Sequence, residues 1–274
     1  PEEYIQRRRE AYRADLANAG NGWIGTFPPE NQMFEPLELE RIANKEYINW
    51  TDYAFKKDVP LTKHDISLSG GNENTQYSAS LGYLYQDGIR TGSDLTRYSG
   101  KLSVDQKISK TFKMGLSAYY TTYDQGQETN SWQDFITFNP ISVIYDANGD
   151  LVLYPTVDGK SVNPLYYDKT RKYNYKAERI ILSGYFEITP AFVPGLRYKL
   201  NASMNSRNRE TDYFRSFEDP GVLGKGYASA NFYYTREYLL ENILTYNKLF
   251  ANVHKLNITL VQGIEPRYNT ATTS

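Results

Sequence analysis

"ISLSGGNENTQYSASLGYLYQDG", residues 66–88, decides how the rest of the chain is read. Tyr77, Ala79, Leu81, Tyr83 and Tyr85 fall on one side of an extended chain, and Ser78, Ser80 and Gly82 on the other. Successive side chains of a strand point to opposite faces, so this is a strand with one apolar and one hydrated face. Gly71, Asn72, Glu73 and Asn74 interrupt the alternation with turn chemistry.

The same period recurs from His64 onward. Tyr98, Leu102, Val104 and Ile108 alternate with Ser99, Lys101, Ser103, Asp105 and Lys107. Leu196, Tyr198, Leu200, Ala202 and Met204 alternate with Arg197, Lys199, Asn201, Ser203 and Asn205. Leu256, Ile258, Leu260 and Ile264 oppose Lys255, Asn257 and Thr259. The pattern predicts about eight strands, near 63–70, 75–87, 96–108, 111–124, 174–189, 195–206, 233–247 and 253–264. Short turns at 71–74, 109–110, 189–194 and 247–252 alternate with longer connections at 88–95, 125–173 and 206–232. Antiparallel strands then put every short turn at one end and every long loop at the other, the plan of an outer-membrane barrel. Residues 1–62 precede a strand that starts at the long-loop end and belong to that end. Within them, Pro1, Glu2 and Glu3 suit a helix start and Gly20 its stop, a second short helix fits Pro36 through Ile42, and 20–32 reads as loop. The soluble alternative, a β-sandwich that binds carbohydrate on tyrosines, also alternates, but globular strands usually number about 5–6 residues and these are longer.

Composition points the same way. Of 274 residues, 31 are basic and 32 acidic, which is not the basic footprint of a nucleic-acid binder. The absence of cysteine excludes disulfides and thiolate metal sites, and the two histidines, His64 and His254, lie far apart as ordinary strand residues. The 26 tyrosines suit surfaces where an apolar ring meets a wet edge, such as a membrane interface. No run approaches the roughly 20 apolar residues of a spanning helix, which leaves a barrel open because its strands are only half apolar. The first residues already read as mid-chain material, without a signal peptide.

The stretch 64–120, with its Ser69-Gly70-Gly71 turn, the strand-opening Tyr77 and the "QDGIRTGSDLTRY" loop (86–98), resembles the SusC/RagA family of TonB-linked outer-membrane transporters. "LLENILTYNKLFANVHKLNITLVQG" (239–263) resembles a later hairpin of that family, and "PEEYIQRRREAYR" its helical segment in the first outward loop. Asn49-Trp50-Thr51-Asp52-Tyr53 departs from the family's Asn-Thr-Asp-Trp order. The resemblance implies an antiparallel transmembrane β-barrel segment, about eight strands of a larger barrel. On that basis 1–62 is an extracellular region with one or two short helices, 63–265 the barrel strands, and 266–274 the start of the next extracellular loop. It further implies active import of oligosaccharides or peptides across the outer membrane of a Gram-negative, Bacteroidetes-like bacterium. The implied partners are a SusD-like lipoprotein, TonB through a plug region outside this stretch, outer-membrane lipid and the glycan or peptide itself. No cofactor and no catalysis are implied. A passive porin would share the strands but have no plug.

Particular residues were weighed for chemistry. Asp146, Asn148 and Asp150 have calcium-loop spacing, but Gly149 is misplaced and Val157 stands where a bidentate acid is needed, so a turn on Asn148-Gly149 is the better reading. "QRRRE" (6–10) is flanked by Glu2, Glu3 and Asp15 and reads as a solvated helix face. Trp132, Phe135, Tyr145, Tyr154 and Tyr166 crowd the loop 125–173 as candidate contacts for substrate or partner, against the alternative that they fold the loop on itself.

Overall fold

The computed structural model describes residues 1–18, 28–156, 159–222 and 224–274. Nine strands form one antiparallel sheet: β1 (Leu61–Gly71), β2 (Thr75–Asp87), β3 (Asp94–Lys107), β4 (Phe112–Gly126), β5 (Arg171–Ile188), β6 (Leu196–Arg215), β7 (Tyr227–Phe250), β8 (His254–Ile264) and β9 (Arg267–Thr273). Neighbours follow chain order from β1 to β8, with β9 also on β7, and β1 and β8 stand at opposite edges. No second sheet covers either face among the described residues, which removes the sandwich reading.

The turns explain the tight ends. At β1–β2 the Asn72 side-chain oxygen accepts from the backbone of Asn74 at 2.8 Å and Thr75 at 2.9 Å. Gly71 sits there at φ 153°, where a Cβ would meet the Thr75 carbonyl at 2.2 Å, so the position requires glycine. At β3–β4, Ser109 Oγ accepts from Thr111 and Phe112, each at 3.1 Å. The hairpin β7–β8 turns through Ala251 and Asn252 at φ 51° and 57°.

Registers carry one side-chain parity across the whole sheet. Leu68, Ala79, Leu102, Ala118, Leu182, Met204 and Tyr238 form one cross-strand row on the apolar face. Tyr77, Val104, Leu116, Gly184, Ala202, Leu240 and Ile264 form the row below it. On β4 the apolar face runs from Phe112 to Tyr120, about the 9–11 residues that a tilted strand needs to cross hydrocarbon. On the opposite face Ser69, Ser78, Ser103, Ser117, Ser183 and Ser203 make an unbroken row over six strands, with Ser117 and Ser183 hydroxyls 2.6 Å apart. Tyr77, Ala79, Leu81, Tyr83 and Tyr85 thus share the apolar face and Ser78, Ser80 and Gly82 the polar one, as the alternation predicts.

Three expectations need correction. β6 and β7 run to 20 and 24 residues, so their connection is 216–226, not 206–232. The added part of β6 is polar on both faces from Arg207 to Asp212 and carries no alternation, whereas on β7 Ala228, Ala230 and Phe232 alternate with Tyr227, Ser229 and Asn231; the backbone ladder continues through both. Residues 267–273 are strand, not the opening of a loop. Pro266 lacks an N–H and interrupts the ladder, but its carbonyl still accepts from Tyr238 N at 3.0 Å, and β9 keeps β8's register on β7. Among the described residues the N-terminal region holds four helices: α1 (Glu2–Asn18), α2 (Glu30–Met33), α3 (Pro36–Asn44) and α4 (Thr51–Ala54). The Gly20 stop lies outside the described residues, and α2 takes up the end of the expected 20–32 loop. Pro36 opens α3, and Glu35 and Glu38 exchange reciprocal capping bonds. No helix among the described residues is long and apolar enough to cross a membrane, which leaves crossing by strands untouched.

The parity makes a direct test. Leu102→Arg should destabilise the complete barrel in bilayers by about 2–4 kcal/mol, whereas Ser103→Arg should be tolerated. Equal costs in folding titrations would contradict the assignment of faces.

Candidate functional site

The long-loop end of the sheet carries a folded cap. It is built from α1–α4 and from the β4–β5 connection, which contains α5 (Trp132–Ile136) and α6 (Pro164–Thr170). Local signals fix the two loop helices: Ser131 caps α5, and Asn163 caps α6 ahead of Pro164. Two apolar clusters then join segments far apart in sequence. Ile5, Met33, Phe34 and Ile141 form one, and Trp50, Ala54, Phe135 and Ile144 the other. In both, the N-terminal region and the β4–β5 connection contribute together, so neither segment is an independent loop.

A polar seam crosses between the clusters. Glu38 is buried and accepts from Arg8 Nη1 at 2.6 Å and Asn139 Nδ2 at 3.0 Å. The Asn139 carbonyl in turn accepts from Trp50 Nε1 at 2.9 Å. Arg8 also lies 4.8 Å from the Phe34 ring centre, and Arg9 pairs with Glu30 at 2.7 Å. The "QRRRE" run is therefore only partly the solvated face expected: Arg7 faces water, while Arg8 and Arg9 hold α1 onto α2 and α3. Beside this seam opens a cleft of about 620 Å³, lined by Tyr4, Arg8, Glu38, Phe138 and Tyr167 among others.

The cap is tied down at two points. Arg90, in the β2–β3 connection, donates to the Asn130 carbonyl at 2.7 Å and to its side-chain oxygen at 2.8 Å. Asn130 and Thr129 donate to Asp168 at 2.7 and 3.2 Å, while burial holds the Asp168 carboxyl above the usual range and its Oδ2 has no hydrogen-bond partner among the described residues. At the second point Asp219 is fully buried and receives Arg171 Nη2 at 3.2 Å, Thr170 Oγ1 at 3.2 Å and Gly221 N at 2.8 Å. Burial alone would raise the Asp219 carboxyl, but these bonds and the Arg171 charge outweigh it and hold it below the usual range.

The predicted contact residues separate. Phe135 is 2% exposed inside the second cluster, so it is core and not a contact. Trp132, Tyr145 and Tyr154 remain exposed on the cap. Tyr166 is half-buried under the Lys169 ammonium, 5.3 Å from its ring centre. The structure does not gather them into one site. The cleft instead uses Tyr4 of α1 and Tyr167 of α6, neither of which the pattern of the sequence singles out. Asp146 to Asp150 forms the expected turn: Asp146 Oδ1 accepts from Asn148 N and Asp150 N, each at 2.9 Å. No metal-ligating cluster occurs among the described residues.

A single antiparallel sheet with one apolar and one hydrated face, short turns at one end and a folded cap at the other is the build of an outer-membrane barrel wall. Comparison with known proteins narrows the class. No protein-family model matches the chain. It is 28% identical over 242 residues to TonB-dependent receptor P3 of Formosa agariphila, 85% of this chain and 24% of that receptor. It is 24% identical over 202 residues to TonB-dependent receptor P26 of the same organism. Its fold matches the RagAB peptide transporter with a TM-score of 0.67 at 23% identity, covering 83% of this chain and 27% of that one. Against the RagAB peptide importer in the 'open-open' state the TM-score is 0.64 at 24% identity. The likeness to TonB-linked transporters read from 64–120 and 239–263 therefore holds, in sequence to the receptors and in fold to RagAB. None of these relatives is named as an enzyme. The chain spans about a quarter of the length of the curated relatives that it matches.

The Asp219 anchor has a signed pH dependence. Its folded-state pKa is depressed, so its contribution is present at neutral pH and lost as pH falls below the ordinary carboxylate range. Asp219→Asn should leave Arg171 without its counter-charge and cost about 3 kcal/mol of local stability, read as faster hydrogen exchange in 216–222. Unchanged exchange at neutral pH would remove the anchoring role.

Proposed function

We propose that residues 1–274 are part of a TonB-dependent active importer in the outer membrane of a Gram-negative, Bacteroidetes-like bacterium. It takes up oligosaccharides or peptides and works with a SusD-like surface lipoprotein. The observation that carries this reading is the union of a lipid-width apolar face with a folded cap at the long-loop end only. A diffusion barrel needs the first; capturing a bulky ligand from a partner on the surface calls for the second. The names of the relatives support it, since the Formosa proteins are TonB-dependent receptors and RagAB is a peptide importer with both 'closed-closed' and 'open-open' states.

In this reading the apolar rows face lipid, the serine row lines the lumen, and the tyrosines at the outward edge of the apolar face (Tyr83, Tyr98, Tyr120) form part of an interfacial girdle. The free edges of β1 and β8–β9 pair with further strands of a larger barrel, because an unpaired backbone group in hydrocarbon costs several kcal/mol. Energy coupling through TonB lies with a plug region beyond these residues. Trp132, Tyr145 and Tyr154, exposed on the cap, and the half-buried Tyr166 are the aromatic side chains offered to the lipoprotein lid or the substrate. No bound cofactor takes part.

Two measurements test this. Uptake of the native substrate by cells carrying the complete transporter should vanish when TonB is deleted; uptake that persists would identify a passive pore. Surface labelling of intact cells should reach a cysteine placed at Lys160 or Glu218 but not one at Asn72. Labelling of position 72 from outside would invert the topology.

A further inference from the structure

From the outward edge of the apolar band towards the cap, the two faces of the sheet carry opposite charge. Four cross-strand rows on each face cover this height. On the outer face they hold Asp87, Asp94, Asp124, Glu178, Glu210 and Asp212 against only Lys176 and Arg236. On the inner face the acidic side chains are Asp65 and Glu237 alone, and both are taken. Lys63 holds Asp65 at 3.0 Å, while Arg207 and Arg267 hold Glu237 at 2.7 and 3.4 Å. Arg97, Lys101, Arg179 and Arg209 remain on that face with no carboxylate in ion-pair reach among the described residues, and all four are exposed. In a chain whose total charge is near −1, this is a segregation of charge and not an excess.

The arrangement is costly as it stands. Arg179 and Arg207 are direct cross-strand partners, and like charges in that position repel. Arg207 shares Glu237, but Arg179 has only the neutral Asn205 side-chain oxygen, at 3.0 Å. Arg209 follows two residues after Arg207 on the same face, its guanidinium 4.2 Å from the Tyr233 ring centre. Arg97 shares the Arg209 row, with Tyr123 as its neighbour on β4. Three guanidinium forks interleaved with tyrosine rings offer bidentate sites for carboxylate or sulfate, next to ring faces that suit the apolar parts of a chain-like ligand. A low-dielectric wall around them would focus the field into the lumen.

Resting on the importer reading, we propose that the outward half of the inner wall selects substrates bearing carboxylate or sulfate groups, with Arg97, Arg179 and Arg209 as the contacts. An acidic oligosaccharide and an acidic peptide share that chemistry, and the test separates them. The purified complete transporter is titrated calorimetrically with a tetragalacturonate, a tetraglutamate peptide and the neutral counterpart of each. One acidic probe should bind about tenfold tighter than its neutral counterpart, by an advantage that shrinks as salt rises. Which probe does so names the source. Arg179→Gln with Arg209→Gln should abolish that advantage and leave the neutral probe unaffected, and Arg97→Gln alone should reduce it. Neutral probes bound as tightly as acidic ones, with uptake intact, would overturn the anion selectivity and leave the importer standing. Variants that lower the melting temperature without changing the preference would also overturn it, since the guanidiniums would then be pairing with another part of the protein. A transporter that neither binds any probe nor imports would sink the importer reading, and this proposal with it.

Discussion

Side chains of a strand alternate with period two, so a single slipped residue in any one pairing would send every later apolar side chain into the lumen. Between Leu61 and Thr273 the registers show no slip and no bulge, even across the break at Pro266. The other features depend on that constancy. It lets Leu68, Leu102, Leu182 and Met204 line up as one apolar row, and it aligns six serines behind them. It also brings four cations of three different strands into three successive rows of the inner face. The turns protect it: Gly71, Asn72 and Ser109 fix their hairpins through backbone geometry and side-chain oxygens that tolerate few replacements.

The strands lengthen from 11 residues in β1 to 24 in β7. At about 3.4 Å per residue, β7 is far longer than any hydrocarbon layer requires, so its outward half stands in water on both faces. That is why the alternation that marks β6 stops short of the strand's end. "RNRETDYFR" (207–215) is polar at consecutive positions, and with water on both sides there is no apolar face to produce an alternation. The backbone has no such reason to stop, and each added pair satisfies two peptide groups. Pro266 removes one donor from the ladder, and the register resumes at Arg267, so the loop expected from 266 onward is strand instead.

The cap was legible in part. The start of α3 is local, and Pro36 announces it, whereas α5 and α6 lie inside the stretch 125–173 that reads as a long loop. The packing is not local: Trp50 meets Asn139, and Ile5 meets Ile141, across more than a hundred residues of intervening strand and loop in the second case. An irregular loop has no period to say which aromatic turns inward, so Phe135 and Trp132, three residues apart, looked alike and proved opposite. Arg8 and Arg9 were hidden for a related reason. Their partners, Glu38 and Glu30, belong to other helices, and a charged run cannot be told from a solvated face until those helices are placed.

Cap and wall are mechanically joined at few points, and their character differs. The Arg171–Asp219 contact is buried and multiply bonded, linking the start of β5 to the β6–β7 connection. The Lys56–Asp87 and Arg90–Glu128 pairs, at 2.7 and 3.7 Å, are partly exposed and contribute little, since water screens them. The β2–β3 side has its own bonded anchor, because Arg90 also donates twice to Asn130 and Asn130 donates to Asp168, so the cap is fastened to the wall on both sides. Arg179 and Arg209 lie on β5 and β6, on the side of the Arg171–Asp219 anchor, and Arg97 on β3, on the side of the Arg90 anchor. In the importer reading, a ligand that first met the cap would pass on to a cationic inner wall whose spacing the unbroken strand ladder fixes.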